Sequence, residues 1–218
     1  MRMGTRAGIE DGIDDLRNGM IEVSSVIVGQ VEQAVDAWEA RDVNAAQRVI
    51  AGDDDVDDRC AALERLAFDL VLLQAPKAHD LRLIHSGLVI TVALERVGDL
   101  AVAIARRVEA LEPSPMVPEV DALLKRMEPR AIGALSQAVQ AFTREDTGLA
   151  IVARADARGV QDLLEEVMAA AARPHGGDGS ASWLANSVLL ARHLERVANN
   201  AAEISGRVRF VADGGDPV

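Results

Sequence analysis

The sequence predicts an all-α protein, and two features of its composition and one of its pattern support this. Hydrophobic residues make up 49% of the chain but aromatic residues only 2%, so the apolar content lies mainly in Ala, Leu, Val and Ile. This composition is typical of helices that pack closely on one another. The seven prolines cluster between long runs, where connections are expected. Within the runs, apolar residues recur at intervals of three and four, the helical period.

These runs predict six long helices. The first three are expected at Gly8 to Ala40, Val43 to Leu73 and Lys77 to Leu111. A break with three prolines follows at 113–118. The last three are expected at Glu119 to Arg144, Thr147 to Ala172 and Ser182 to Val211. Because an aspartate oxygen can accept from free amides of a first turn, Asp42 and Asp146 are each expected to cap the helix that follows.

The two halves of the chain repeat each other. Leu94-Glu95-Arg96-Val97 recurs as Leu194-Glu195-Arg196-Val197, and the segment Gln33-Ala34-Val35 recurs as Gln137-Ala138-Val139. A period near one hundred residues is too long for a solenoid and matches two compact bundles placed end to end. We therefore expect two tandem three-helix bundles, residues 8–112 and 119–212, in an elongated molecule.

Charge and composition argue against several classes of protein. A net charge of −12 disfavours nucleic-acid binding, which needs a surplus of Lys and Arg on one face. Three of the five aromatic residues, Trp38, Phe142 and Trp183, are too few and too far apart to stack bases, so we expect them in the core or at the seam between bundles. The single cysteine, Cys60, forms no internal disulfide, and no signal-peptide pattern or long uncharged apolar stretch occurs. A cytoplasmic protein without a membrane span is expected.

The chain lacks the motifs of the common enzyme classes. It has no GxSxG elbow, phosphate-binding loop, dinucleotide fingerprint or HExxH pair, and its four histidines are scattered. We therefore do not expect an enzyme.

Carboxylates offer the best-organised candidate site. Glu95 and Asp99 stand four residues apart on the third helix, so they project from one face and repel each other. A bound cation would offset the repulsion between these two carboxylates. Oxygen ligands suit Mg²⁺, Ca²⁺, Mn²⁺ or iron. Asp53, Asp54 and Asp57 on the second helix are candidate partners. The alternative interpretation is an exposed acidic face on which Glu95 pairs with a neighbouring arginine.

The second copy of this pattern has changed. Glu195 keeps its place, but the residue that matches Asp99 is Asn199, which carries no negative charge. Asp156 and Asp162 are further acidic residues on the fifth helix. Because affinity for a hard cation falls with ligand charge, any metal is expected in the first half. Phosphate would be repelled by the carboxylate faces unless a metal intervened.

Three segments carry a resemblance to a known family. Gln74-Ala75-Pro76-Lys77-Ala78-His79-Asp80-Leu81-Arg82 and Leu94-Glu95-Arg96-Val97-Gly98-Asp99 resemble the signatures of PhoU proteins, and the segment around Glu195 resembles the repeated motif. The resemblance implies two three-helix bundles and repression of the phosphate regulon. It implies two partners, a phosphate-responsive sensor kinase and the ATPase of the phosphate transporter, and hence proximity to the inner face of the membrane. It also implies homodimers, and metal clusters at positions that match Glu95 and Asp99.

Two other functions stay open from the sequence. One is a carboxylate-bridged metal-binding bundle with an enzymatic or metal-storage role, since such proteins draw glutamates from bundle interiors. The Glu-x-x-His pairs that those sites use do not occur in this sequence. The other is a helical scaffold without metal.

Overall fold

A computed structural model describes residues 6–111, 113–175 and 180–214, and every regular element in these ranges is a helix. The seven helices are α1 (Arg6–Ala40), α2 (Val43–Ala51), α3 (Asp53–Gln74), α4 (His79–Glu109), α5 (Pro118–Arg144), α6 (Thr147–Ala171) and α7 (Ala181–Asp213). The prediction of an all-α fold is confirmed. Residue 112, where the first predicted bundle ends, and residues 176–179, in the predicted connection before the last helix, lie outside the described ranges.

The internal duplication appears as two three-membered bundles. In the first bundle, α1 and α4 pack with the pair formed by α2 and α3, and in the second α5, α6 and α7 pack together. The two predicted caps are present: Asp42 accepts from the amide of Ala45 at 3.0 Å, and Asp146 accepts from the amide of Leu149 at 2.9 Å. Each cap satisfies one of the free amides at a helix start.

The predicted second helix is divided into α2 and α3 at Gly52. The backbone there has φ −86° and ψ 0°, and its amide lies 3.1 Å from the carbonyl oxygens of both Arg48 and Val49. The side chain of Gln30 donates to the Gly52 carbonyl at 3.0 Å, which satisfies an acceptor at the break. The expectation of one uninterrupted helix from Val43 to Leu73 was therefore wrong. Its cause is a glycine, the residue that most readily leaves a regular helix.

A proline inside α5 corrects a second expectation. Pro129 lies in the middle of this helix and not in a connection. Proline has no backbone N–H, so the carbonyl one turn earlier, at Lys125, loses its usual helical donor. Because both residues are exposed, water can take the place of the missing donor.

The two bundles share one hydrophobic core. Helix α1 packs against α5, helix α4 packs against α7, and buried residues of both halves form a contiguous cluster. Trp38 of α1 and Trp183 of α7 meet across the seam with ring centroids 6.4 Å apart, and each is 3% exposed. Phe142 is also buried, so the expected placement of Trp38, Phe142 and Trp183 is confirmed. The exact bounds of the two bundles, residues 8–112 and 119–212, stay a prediction.

Candidate functional site: the acidic faces of the two copies

In the first copy, two helices that carry carboxylates pack against each other. Asp53 and Asp57 lie in the first turns of α3, and Glu95 and Asp99 lie in the middle of α4, against which α3 packs. Asp53 and Glu95 are half-buried, whereas Asp57 and Asp99 are exposed. Of the five first-half residues that the sequence singled out, Asp54 is exposed and acts on Asp53 through its charge, and the structure assembles the other four on one surface. We call these four residues the acidic cluster.

The members of the acidic cluster repel one another. Burial raises the pKa of Asp53, and the charges of Asp57 and Asp99 raise it further. Burial also raises the pKa of Glu95, followed by the charges of Asp57 and Glu64. Desolvation and like charges both disfavour an ionised carboxylate. A bound cation would relieve both effects.

Two residues of this surface were not predicted from the sequence. Glu64 stands seven residues after Asp57 on α3, which is two helical turns, and its charge acts on Glu95. Cys60 lies between them and is 1% exposed. Burial raises the pKa of its thiol to about 12, and the charge of Glu95 contributes. The spacing of four and seven along α3 is the signal that could have identified Glu64.

A cleft of about 370 Å³ adjoins the acidic cluster and extends to α7 of the second half. Its walls include Asp53 and Asp99 together with Arg106, Arg107 and His193. Three buried polar atoms in these side chains lack a hydrogen-bond partner: Asp53 Oδ1, Arg107 Nε and His193 Nδ1. Burial lowers the pKa of His193, and the charges of Arg196 and Arg107 lower it further. The imidazole is therefore a neutral group at the edge of a strongly charged surface.

The carboxylates do not form a ready-made metal centre. Across the described ranges, no three His, Cys, Asp or Glu side chains converge in a way that could hold a metal ion. The donor set is nevertheless of the hard-oxygen type, and Asp53 Oδ1 is a buried acceptor without a donor. Asp57 and Asp99 are exposed, so a change of rotamer would be needed to bring their oxygens together with those of Asp53 and Glu95 around a cation.

The second copy is built differently around Glu195. This side chain is 5% exposed, and both of its carboxylate oxygens are occupied. Arg192 donates to Oε2 at 2.8 Å, and Asn199 donates through Nδ2 to Oε1 at 2.7 Å. At the matching positions the first copy has Val92 and Asp99. The second copy therefore has a satisfied ion pair where the first has a repelling pair of carboxylates, and Arg192 was not singled out from the sequence.

The helix-two aspartates are also missing from the second copy. Ala157 and Gln161 stand 104 positions after Asp53 and Asp57, the same spacing that separates the two N-cap aspartates. Asp156, which the sequence suggested as a further acid, lies 3.8 Å from Arg130 in an ion pair. Glu195 therefore has no acidic residue at these two positions of α6, the second helix of its bundle.

The segment 74–82, whose sequence resembles a family signature, connects the first half to the second through side-chain hydrogen bonds. His79 Nε2 lies 2.7 Å from Glu145 Oε2, and Arg82 donates to the carbonyl of Val211 at 3.1 Å. Glu145 also pairs with Arg17 of α1. Glu145 has φ +54°, in the left-handed region. Residues of the signature therefore act at the seam, as a structural connection between the copies.

None of the helices that the structure describes is long and apolar enough to cross a membrane.

Comparison with known proteins agrees with this architecture. A family model described as the PhoU domain matches residues 20–108. The phosphate-specific transport system accessory protein PhoU homolog 1 of Methanothermobacter thermautotrophicus is 34% identical over 91% of this chain and 91% of its own length. The PhoU homolog of Xylella fastidiosa strain 9a5c is 31% identical over 94% of this chain and 86% of its own length.

Two solved structures share the fold. PhoU from Pseudomonas aeruginosa has a TM-score of 0.84 at 24% identity and covers 94% of this chain and 99% of its own. PhoU from Streptococcus pneumoniae has a TM-score of 0.84 at 20% identity and covers 95% of this chain and 98% of its own. The sequence relatives, which match along nearly the whole length, show that this chain belongs to the PhoU family.

Proposed function

We propose that this protein is a cytoplasmic, non-enzymatic regulator of phosphate uptake. It acts by binding a phosphate-responsive sensor kinase and the ATPase of the phosphate transporter. Its relatives are named as accessory proteins of the phosphate-specific transport system, which supports a role in phosphate uptake. A surface of exposed apolar side chains supports the mode of action, because such surfaces mark protein contacts.

That surface lies at the end of α3 and the start of α4. Phe68, Leu72 and Leu73 are each more than 60% exposed, and Val71 and Leu81 are about 40% exposed. Phe68 and Leu72 stand one helical turn apart, so their side chains are neighbours. We call these five residues the apolar tip. Leaving large apolar groups in water costs free energy, which a protein partner would recover by covering them.

A regulator of this kind works through differential affinity. If the apolar tip contacts one conformation of the kinase or the ATPase better than another, binding shifts the population toward that conformation. No chemical step by this chain is required. The same tip provides an apolar face for self-association as a homodimer.

The test uses purified protein and the purified cytoplasmic parts of the sensor kinase and the transporter ATPase from the same organism. Phe68→Ser with Leu72→Ser should weaken binding to at least one of them about tenfold or more, as expected for anchor residues. The control carries Val43→Ser and Met168→Ser, two exposed apolar residues outside the tip. Binding that is equal in both variants would contradict the assigned surface, and no binding of either partner would contradict the proposed function.

Self-association is measured separately by sedimentation velocity on the same variants. A dimer of the wild-type protein that is lost in the Phe68 and Leu72 variant, and kept in the control, supports the tip as its interface. A wild-type monomer at high protein concentration would count against the homodimer.

We also propose that a divalent cation or iron binds to the acidic cluster of the first copy. The support is the mutual repulsion of its carboxylates, the partnerless Asp53 Oδ1 and the hard oxygen donors. Asp53, Asp57, Glu95 and Asp99 are the proposed ligands. Glu195 is excluded from this proposal because Arg192 and Asn199 already occupy its oxygens.

The experiment compares metal content by mass spectrometry after growth in supplemented medium. Glu95→Gln with Asp99→Asn should remove the metal and leave helix content unchanged, while Glu195→Gln should retain it. Equal metal in wild type and the double variant would refute the assignment, and loss only in Glu195→Gln would move the site to the second copy. Oxygen consumption by the metal-loaded protein would favour an enzyme instead of a regulator.

A further inference from the structure

A cavity of about 320 Å³ lies between the start of α6 and the end of α7, away from the acidic cluster. Its lining includes Thr147, Ile151, Arg154, Ser205, Arg209 and Asp213. A volume of this size corresponds to roughly ten water molecules at about 30 Å³ each. It can therefore hold a small ligand and not only a single ion.

Two arginines from different helices border this cavity. Arg154 projects from α6 and Arg209 from α7, and neither has an ion-pair or hydrogen-bond partner among the described residues. The one carboxylate in the lining, Asp213, forms no ion pair within 4 Å in the described ranges. The lining therefore carries a net positive charge on a chain whose net charge is −12. Unpaired guanidinium groups are strong donors to oxyanions.

The helix start adds a further donor. Thr147, which lines the cavity, is the first residue of α6, and its amide has no acceptor among the described residues. The N-cap side chain of Asp146 accepts from the amide of Leu149 and leaves the amide of Thr147 free. Ser205 donates its hydroxyl proton to the Ala201 carbonyl, so it offers the cavity only an acceptor. The donors thus lie on the α6 side and at the two guanidinium groups.

We propose that this cavity binds the phosphate group of a small anionic ligand, either inorganic phosphate or a phosphate monoester. Arg154 and Arg209 would hold the phosphate oxygens from opposite helices, and the start of α6 would add an amide donor and the positive end of its dipole. The apolar side chain of Ile151 would contact the organic part of a monoester.

The first copy supplies an internal comparison. With the spacings that relate the two copies, Arg154 and Arg209 correspond to Ile50 and Glu109. Gln47 lies within hydrogen-bond distance of Glu109, with Nε2 and Oε1 3.4 Å apart. The corresponding place in the first bundle therefore has an apolar and an acidic residue where the second has two cations. The pair of arginines therefore distinguishes the second copy from the described part of the first. The proposal is independent of which partner protein the chain binds.

Binding is measured by isothermal titration of the full chain with inorganic phosphate, with AMP as a monoester, and with malonate as a dicarboxylate. Arg154→Gln and Arg209→Gln should each weaken phosphate or AMP binding about tenfold, because each removes charge-assisted hydrogen bonds. Asp213→Asn should strengthen it about threefold, because it removes a repelling charge. Arg158→Gln is the matched control, one turn along α6 and outside the cavity lining.

Tighter binding of AMP than of phosphate identifies the monoester as the ligand class, and the reverse order identifies free phosphate. Malonate that binds as tightly as either would overturn the assignment to phosphate. So would the absence of binding by both phosphate compounds at about 10 mM, or equal affinity in the Arg154, Arg209 and Arg158 variants. Circular dichroism confirms that each variant is folded before its affinity is interpreted.

Discussion

The side-chain amide of Asn199 donates a 2.7 Å hydrogen bond to Oε1 of the buried Glu195. In the first copy the same two positions hold Glu95 and Asp99, two carboxylates that cannot hydrogen-bond to each other when both are ionised. The difference between Asp99 and Asn199 therefore makes this contact repulsive in the first copy and attractive in the second. The second copy is stabilised at the place where the first copy is strained by charge.

Asn199→Asp should restore the repulsion and destabilise the protein. The variant loses the hydrogen bond to Glu195 and places a second negative charge beside a nearly buried carboxylate. We expect the free energy of unfolding in urea at pH 7.5 to fall by about 1–3 kcal/mol. Asn200→Asp is the control, since Asn200 donates to the backbone carbonyl of Arg196 instead. An equal loss in both variants would show that the effect is not specific to Glu195.

Glu128 should make stability depend on pH. Burial and the charges of Glu39, Asp36 and Glu32 raise its pKa to about 7 from an ordinary value of 4.5. The folded state therefore binds this proton more tightly than the unfolded state, and stability rises as the pH falls from 8 through 7 toward 4.5. Above pH 7 the ionised group carries its full penalty.

Glu128→Gln removes that penalty. At pH 8 the variant should be more stable than the wild type by about 2 kcal/mol, and the difference should disappear near pH 4.5. Urea unfolding across this pH range measures it. Glu165→Gln, an exposed residue on α6, should show no such pH-dependent gain. A constant difference between pH 4.5 and 8 would contradict the raised pKa of Glu128.

Cys60 should be inert in the folded protein. Its thiol is buried, and its pKa is raised to about 12, so little thiolate is present or accessible at pH 8. Iodoacetamide should label it about a hundredfold more slowly in buffer than in 6 M guanidinium, a concentration that unfolds most domains. Mass spectrometry of timed samples gives the two rates. Rapid labelling of the native protein would show that the helix α3 packing opens readily.

The two tryptophans should report a single unfolding transition. Trp38 lies in the first half and Trp183 in the second, but their rings contact each other within the shared core. Fluorescence of Trp38→Phe and of Trp183→Phe, followed in urea, should give the same slope of unfolding free energy against denaturant as circular dichroism of each variant. A fluorescence midpoint that differs from the circular dichroism midpoint of the same variant would mean that the halves unfold separately.

The helical period, the two Asp caps and the repeated segments were sufficient to predict the fold. Each is a pattern of residue types that can be recognised without knowing the tertiary contacts. The break at Gly52 was missed, since glycine permits several backbone conformations and the surrounding packing selects one. At the acidic faces, the sequence identified Glu95, Asp99 and the change at Asn199. It did not reveal Arg192 as the partner of Glu195, because that pairing depends on side-chain direction on α7.

The contact of α1 with α5 and of α4 with α7 has a consequence for synthesis of the protein on the ribosome. The first copy emerges before the helices that cover two of its faces exist. The face of α1 stays in water until α5 leaves the exit tunnel, and the face of α4 stays in water until α7 does. During this interval the nascent chain exposes apolar surface, which is the condition under which chaperones bind and neighbouring nascent chains associate. The shared core therefore delays completion of the first copy until the second has been translated.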